Sequence, residues 1–235
     1  MCPRCYIFRD DYWRGGLYEC IVPTVMSRDR FKQIWRFLHL ADNTVNDARD
    51  KLFKDRSYIN HLTNKFKTNI IPNGFFSLDE SMVKWKGRLS WRQFMPAKPI
   101  RFGMKLWSLY ESSTGYLFNV QVYTGKEAGR AEQNLSFRVV TDLITCMYFT
   151  NARLCFDNFY TGLPLLEHLR KNGVFAWGTV RKNRKGLPAN DFFNQALAKH
   201  SFRLSQQNEF LCVTWKDTKP VNFCLTSISQ QKKAK

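Results

Sequence analysis

Two short stretches, FFSLDE from Phe75 and ARLCFDNF from Ala152, constrain the fold of this chain more than any other feature. Each alternates apolar and polar side chains with the two-residue period of a half-buried strand, and each ends that pattern on an aspartate. Between them, MKLWSLYESSTGYLFNVQVYTG reads as two strands about a Ser-Ser-Thr-Gly turn. Leu135, Val139, Leu143 and Met147 then recur at the four-residue spacing of a helix. After the second aspartate, YTGLPLLEHLRKNG predicts a helix stopped at Gly173, and VFAWGTV predicts a strand. EFLCVTW and VNFCLTSI predict further strands on either side of Lys219-Pro220. Three strands, helix, strand, helix, strand is the order of a mixed α/β arrangement with a central sheet. If the strands carrying Asp79 and Asp157 are neighbours in that sheet, their carboxylates converge.

The chain changes character near residue 74. Before it the patterns are helical: Ser27 is placed to cap a segment in which Phe31, Ile34, Trp35 and Leu38 recur at three- and four-residue spacing. A second helix is expected around Leu52, Ile59, Leu62 and Phe66. We therefore expect a helical part over 1–73 and the sheet-bearing part over 74–235.

Charge narrows the partners. The chain has 37 Lys and Arg against 19 Asp and Glu, a formal net charge of +18. Such an excess suits a polyanion, with nucleic acid first and an anionic membrane surface second, and does not suit an acidic small-molecule substrate. The excess is concentrated: after Glu80 the stretch to Lys105 holds seven basic residues, Lys84, Lys86, Arg88, Arg92, Lys98, Arg101 and Lys105, and no acid. Arg181, Lys182, Arg184 and Lys185 form a second run, which phosphate contact or an ordinary solvated loop would explain equally. Trp85 and Trp91, interleaved with the first cluster, have the chemistry to stack on unpaired bases, although core or rim packing is the commoner use of such residues. No uncharged stretch is long enough to span a bilayer, and the first residues lack the apolar core of a signal peptide. Seven scattered cysteines do not suggest a disulfide framework and fit a reducing cell interior.

By residue type, two aspartates at adjacent strand ends beside a basic surface are hard oxygen ligands for Mg²⁺, in the arrangement phosphodiester chemistry uses. An aspartate at a strand end is also an ordinary solvated turn residue. Cys2 and Cys5 form a C-x-x-C without a second pair at zinc-ribbon spacing, so no zinc site is expected. The histidines are isolated, and neither a Gly-rich phosphate loop nor a Ser-His-Asp constellation is present.

SLDESMVKWKGRLSWRQFMPAKPIRFGMKLW, SSTGYLFNVQVYTGK, CFDNFYTGLPLLEHLRKNG and WGTVRKNRKGLP resemble successive blocks of the piggyBac-type transposase domain, in the same order. DYWRGG and MSRDRFKQIWRFLHLADN resemble the helical part that precedes it. The resemblance implies an RNase H-like mixed sheet flanked by helices, preceded by a small helical segment. It also implies DNA cutting and joining by aspartates and Mg²⁺. On this resemblance Asp79, in its LDE context, matches the first catalytic and metal-binding aspartate, and Asp157, in its FDN context, matches the second. The third is expected beyond the strand pair that LCVTWKDTKPVNFCLTSIS resembles, where this chain reads QQKKAK. Asp217 lies in a turn pattern within that pair and is not read as its substitute. The cysteine-rich zinc-binding module of such transposases is not matched either.

The leading expectation is a nuclear, transposase-derived DNA-binding protein with an incomplete three-aspartate site, an incomplete Mg²⁺ site and no cleavage activity of its own. One alternative is an active Mg²⁺-dependent transposase whose third carboxylate comes from another chain or a missing C-terminal part. A non-functional fragment is the other. DNA is the expected partner, a homodimer is open, and neither a membrane nor a small-molecule substrate is expected.

Overall fold

The computed structural model describes residues 12–13, 21–45, 50–85, 87–126, 132–188 and 190–226. Cys2, Cys5, Lys86 and the terminal QQKKAK lie outside the described residues. The chain packs as two compact units, Met1–Asn60 and His61–Lys235.

In the first unit a short helix α1, Val22–Val25, carries Pro23 in its first turn, where the fixed φ of proline is tolerated. Helix α2 spans Arg28–Phe37, and the Ser27 hydroxyl caps it by accepting from the Arg30 amide at 3.3 Å. The Phe31 ring lies 5.1 Å from Trp13 and 5.9 Å from Trp35, so the expected apolar stripe is partly an aromatic ladder. Helix α3, Phe53–Thr68, carries the chain from the first unit into the second and is started by Asp50. Its carboxylate accepts the Leu52 amide at 2.9 Å and two Arg56 bonds at 2.8 and 2.7 Å. That forked pairing with Arg56 holds the Asp50 carboxyl below the usual carboxylate range.

The second unit is built on one nine-stranded mixed sheet. Strand β1 is Phe75–Lys84, and a two-residue β2, Gln93–Phe94, precedes the hairpin of β3, Phe102–Glu111, and β4, Leu117–Val122. Helix α4, Leu135–Ile144, leads to β5, Arg153–Phe156, and helix α5, Leu163–Lys171, leads to β6, Phe175–Thr179. A short helix α6, Asn190–Asn194, is followed by β7, Phe202–Gln207, β8, Phe210–Lys216, and β9, Pro220–Thr226. The order across the sheet is β2-β3-β1-β5-β6-β9-β8-β7, with β4 also on β3. β1, β5 and β6 pair in parallel and the remaining pairs are antiparallel. A parallel neighbour needs a crossover, and α4 and α5 are the helices in those connections.

The period-two alternation of the sequence decides which face is buried. Phe76 and Leu78 of β1, Trp107 and Leu109 of β3, and Leu154 and Phe156 of β5 enter one core with Val139 and Leu143 of α4 and Leu166 and Leu169 of α5. Each such side chain contributes about 1.5–3 kcal/mol relative to leaving it in water. The β3–β4 turn is fixed by a buried acid: Glu111 accepts from the Ser113 and Thr114 hydroxyls at 2.8 and 2.6 Å and from the Thr114 amide at 2.9 Å. α5 ends at Gly173, whose φ of +71° lies in the left-handed region and whose Cα faces the Phe149 backbone too closely for a side chain.

Candidate functional site on β1 and beyond β5

Register brings the two aspartates together. Leu78 on β1 pairs with Phe156 on β5, and Phe156 pairs with Gly178 on β6. One residue further along stand Asp79, Asp157 and Thr179; Asp79 lies in mid-strand, with β1 running on to Lys84, rather than at the strand end the sequence predicts, whereas Asp157 directly follows β5 and Thr179 ends β6. Because successive side chains alternate faces, these three project from the sheet face opposite the Leu78 and Phe156 core. Asp79 and Asp157 are both exposed there.

Each carboxylate is oriented by its neighbours. Thr179 Oγ1 donates to Asp157 Oδ1 at 3.0 Å. The Asp157 carbonyl accepts from the Tyr160 and Thr161 amides at 3.0 and 3.2 Å and from the Thr161 hydroxyl at 3.0 Å, so the chain turns sharply after the aspartate. Gly178 permits that turn to pack. A Cβ at 178 would overlap the Phe156 carbonyl oxygen and the Thr161 hydroxyl, and would stand 2.8 Å from the Phe156 ring. On β1, Asp79 Oδ1 accepts from the Glu80 amide at 2.7 Å. Lys98 Nζ lies 3.9 Å from Asp79 Oδ2 and donates to the Glu80 carbonyl at 3.2 Å.

Tyr160 is the buried neighbour of this group. Its hydroxyl has no hydrogen-bond partner, and burial, reinforced by the negative charges of Glu80, Asp79 and Asp157, pushes its ionisation well above the ordinary range. It therefore stays protonated beside three acids. Glu80 itself faces the other way and forms an ion pair with Lys105 at 2.7 Å, both side chains being largely buried. Lys105 Nζ sits 5.5 Å from the ring centres of Trp107 and Phe159 and 5.9 Å from that of Tyr123.

The basic residues fall into three environments. Lys84, Arg88, Arg92 and Arg101 are exposed about the far end of β1 and the loop before β3. Lys98 bridges to Asp79, and Lys105 is occupied by Glu80. In the loop after β6, Arg184 donates to the Asn158 and Phe159 carbonyls at 3.0 and 2.9 Å, and Arg181 Nε donates to Asn158 Oδ1 at 3.2 Å. Lys182 binds Asn194 Oδ1 at 2.9 Å, while Lys185 is exposed. The two tryptophans separate as well: Trp91 is buried and Trp85 is 43% exposed. Thr179, Tyr160 and the role of Lys98 are not evident in the sequence. The one sequence signal for Thr179 is its place at the end of VFAWGTV, level with the end of the Asp157 strand.

The family model for Transposase IS4 matches residues 6–235. The chain belongs to this family, as a piggyBac-type transposase domain. Human PiggyBac transposable element-derived protein 3 is 35% identical over 179 residues, covering 73% of this chain and 30% of that protein. Human PiggyBac transposable element-derived protein 2 is 29% identical over 217 residues, covering 88% of this chain and 36% of that protein. The chain thus spans about a third of the length of these relatives. A solved piggyBac transposase synaptic complex with hairpin DNA has the same fold, with a TM-score of 0.81 at 22% identity, over 92% of this chain and 47% of that one. The nine-stranded mixed sheet of this piggyBac-type domain is accordingly of the RNase H-like class.

The donor chemistry of the site suits a hard divalent cation, because Asp79 and Asp157 offer carboxylate oxygens from one rim. Among the described residues no group of three or more His, Cys, Asp or Glu side chains is placed to hold a metal ion.

Proposed function

We propose that this piggyBac-type domain is a transposase-derived DNA-binding module that does not cleave DNA by itself. The observation that carries the reading is the common level of Asp79 and Asp157 on neighbouring parallel strands, beside an exposed basic surface. In this reading Asp79 and Asp157 would hold one Mg²⁺, which would supply charge neutralisation at a phosphodiester. Lys84, Lys86, Arg88, Arg92, Lys98 and Arg101 hold the DNA backbone from one side, and Arg181, Lys182, Arg184 and Lys185 from the other. Residues 74–235 form the catalytic-type part, 1–73 form its helical lead, and the site of action is nuclear.

Ligand counting supports binding without cleavage. Mg²⁺ accepts one or two carboxylates together with substrate phosphate, so a single weakly held ion is compatible with this pair. Two ions able to stabilise both oxygens of an in-line displacement need more acidic ligands than the two aspartates brought level among the described residues provide. Glu80 does not make up the difference, being turned away and paired with Lys105.

The test is a nicking and strand-transfer assay with Mg²⁺ or Mn²⁺ on duplex DNA bearing transposon ends, beside Asp157→Ala. DNA binding without cleavage is expected. Metal-dependent cleavage that disappears in Asp157→Ala would overturn the reading in favour of an active transposase. Absence of DNA binding at low salt would overturn it altogether.

A further inference from the structure

About the far end of β1 lies a pocket of about 490 Å³, within the size range of small-ligand clefts, lined by Lys84, Trp85, Arg92, Pro99, Arg101 and Phe102 among others. Lys84 ends the strand that carries Asp79, and Pro99 follows Lys98, which contacts Asp79. The pocket is therefore linked to the candidate site through β1 and the Lys98–Pro99 segment without belonging to it. Its lining contains three cationic side chains and no acid.

The aromatic part is arranged in a specific way. Phe94 and Phe102 stack with ring centres 4.6 Å apart and planes 28° from parallel, and the Arg92 guanidinium stands 5.4 Å over Phe102. Trp85 is held by a glycine: a Cβ at Gly87 would lie 2.9 Å from the indole Nε1 and 3.2 Å from Cε2, so the ring edge rests on bare backbone. An indole so placed, yet 43% exposed, is supported on one side and open to a ligand. Phe94 and Phe102 are also exposed, at 58% and 50%.

We infer that this pocket seats an unpaired nucleobase of the DNA, stacked on Trp85, with Lys84 and Arg101 on its flanking phosphates. The inference rests on the DNA-binding reading and adds which nucleotides are recognised. A nucleotide combines a flat π face with an anionic phosphate, which matches aromatic rings interleaved with cations and no acids. In duplex DNA the faces of the bases are covered by their neighbours, so only a base outside the stack can use Trp85.

The experiment titrates the intact chain, at one fixed salt concentration, with two DNAs sharing one stem: a hairpin with unpaired thymines in its loop and a blunt duplex. Wild type is expected to prefer the hairpin. Trp85→Ala is expected to lower hairpin affinity about tenfold and to change duplex affinity less than about twofold, whereas Trp85→Phe keeps most of the preference. Equal losses on both DNAs, or no loss on either, would overturn the base seat while leaving DNA binding in place. Failure of wild type to bind either DNA at low salt would overturn both readings.

Discussion

Gly178 and Phe156 are register partners on adjacent parallel strands, and they approach so closely that no side chain fits at position 178. The residues that follow them are Thr179 and Asp157, joined by a 3.0 Å hydrogen bond. The alignment of one candidate ligand thus depends on the absence of a methyl group one position away. Gly178→Ala is expected to destabilise the fold by about 1–3 kcal/mol, the range for overpacking a tight interior. Urea denaturation should show a lower midpoint with an unchanged slope, and an unchanged midpoint would mean that the turn yields freely.

Thr179→Val removes the hydroxyl on Asp157 while keeping the shape of the side chain. Groups that orient a metal ligand typically change affinity by about 10- to 100-fold when removed. Titration with Mn²⁺ followed by electron paramagnetic resonance should show Thr179→Val binding more weakly than wild type and Asp157→Ala more weakly still. Equal affinities for wild type and Thr179→Val would assign the Thr179 hydroxyl a purely local role.

The strands bearing the aspartates were legible in the sequence because Phe76, Leu78, Leu154 and Phe156 all enter the core at every second position. Ser27 was legible as a cap for the same local reason. Elements created by pairing were not. β2 has two residues and exists through Gly103 and Phe102 on β3, while β7 is an edge strand whose Phe202 and Leu204 stay 64% and 52% exposed. The composition shift near residue 74 marks the approach to β1, whereas the two compact units meet in sequence between Asn60 and His61. Within the site, residue type singled out Asp79 and Asp157, but Thr179 required the register of β5 and β6. Lys105 reads in sequence like its basic neighbours, and only the three-dimensional placement of Glu80 removes it from the solvent.

The basic surface predicts a salt dependence. Each phosphate neutralised on duplex DNA steepens log affinity against log salt by about 0.9. Replacing Arg88, Arg92, Lys98 and Arg101 with alanine is expected to flatten the slope by up to about 3.6, with Lys98 contributing least because it is already engaged at Asp79 and Glu80. An unchanged slope would move the binding face elsewhere.

Glu111 predicts a pH dependence. The Thr114 and Ser113 hydroxyls hold its carboxyl below the ordinary value of about 4.5. A folded-state value lower than the unfolded one contributes stability that is present above about pH 4.5 and lost as pH falls from there through the depressed folded value. Melting temperatures of wild type and Glu111→Gln should therefore converge as the solution is acidified through that window. A constant difference would show that the turn does not depend on the ionised form.

Tyr160→Phe offers a contrasting case. The hydroxyl it removes is buried without a partner, and deleting an unpaired polar atom is nearly neutral or stabilising. Denaturation midpoints equal to or above wild type are expected, and a clear loss would reveal a hydrogen bond formed in solution.

Arg184 gives the loop after β6 a second identity. By reaching the Asn158 and Phe159 carbonyls it acts as a rivet between that loop and the turn following Asp157. Both bonds leave one terminal nitrogen, Nη2, so lysine would preserve the charge but keep both acceptors only if its shorter side chain brought Nζ to the same point. Electrostatically silent exchanges in this loop can thus disconnect it from the aspartate turn, so its tolerance to substitution is set by reach and shape as much as by sign.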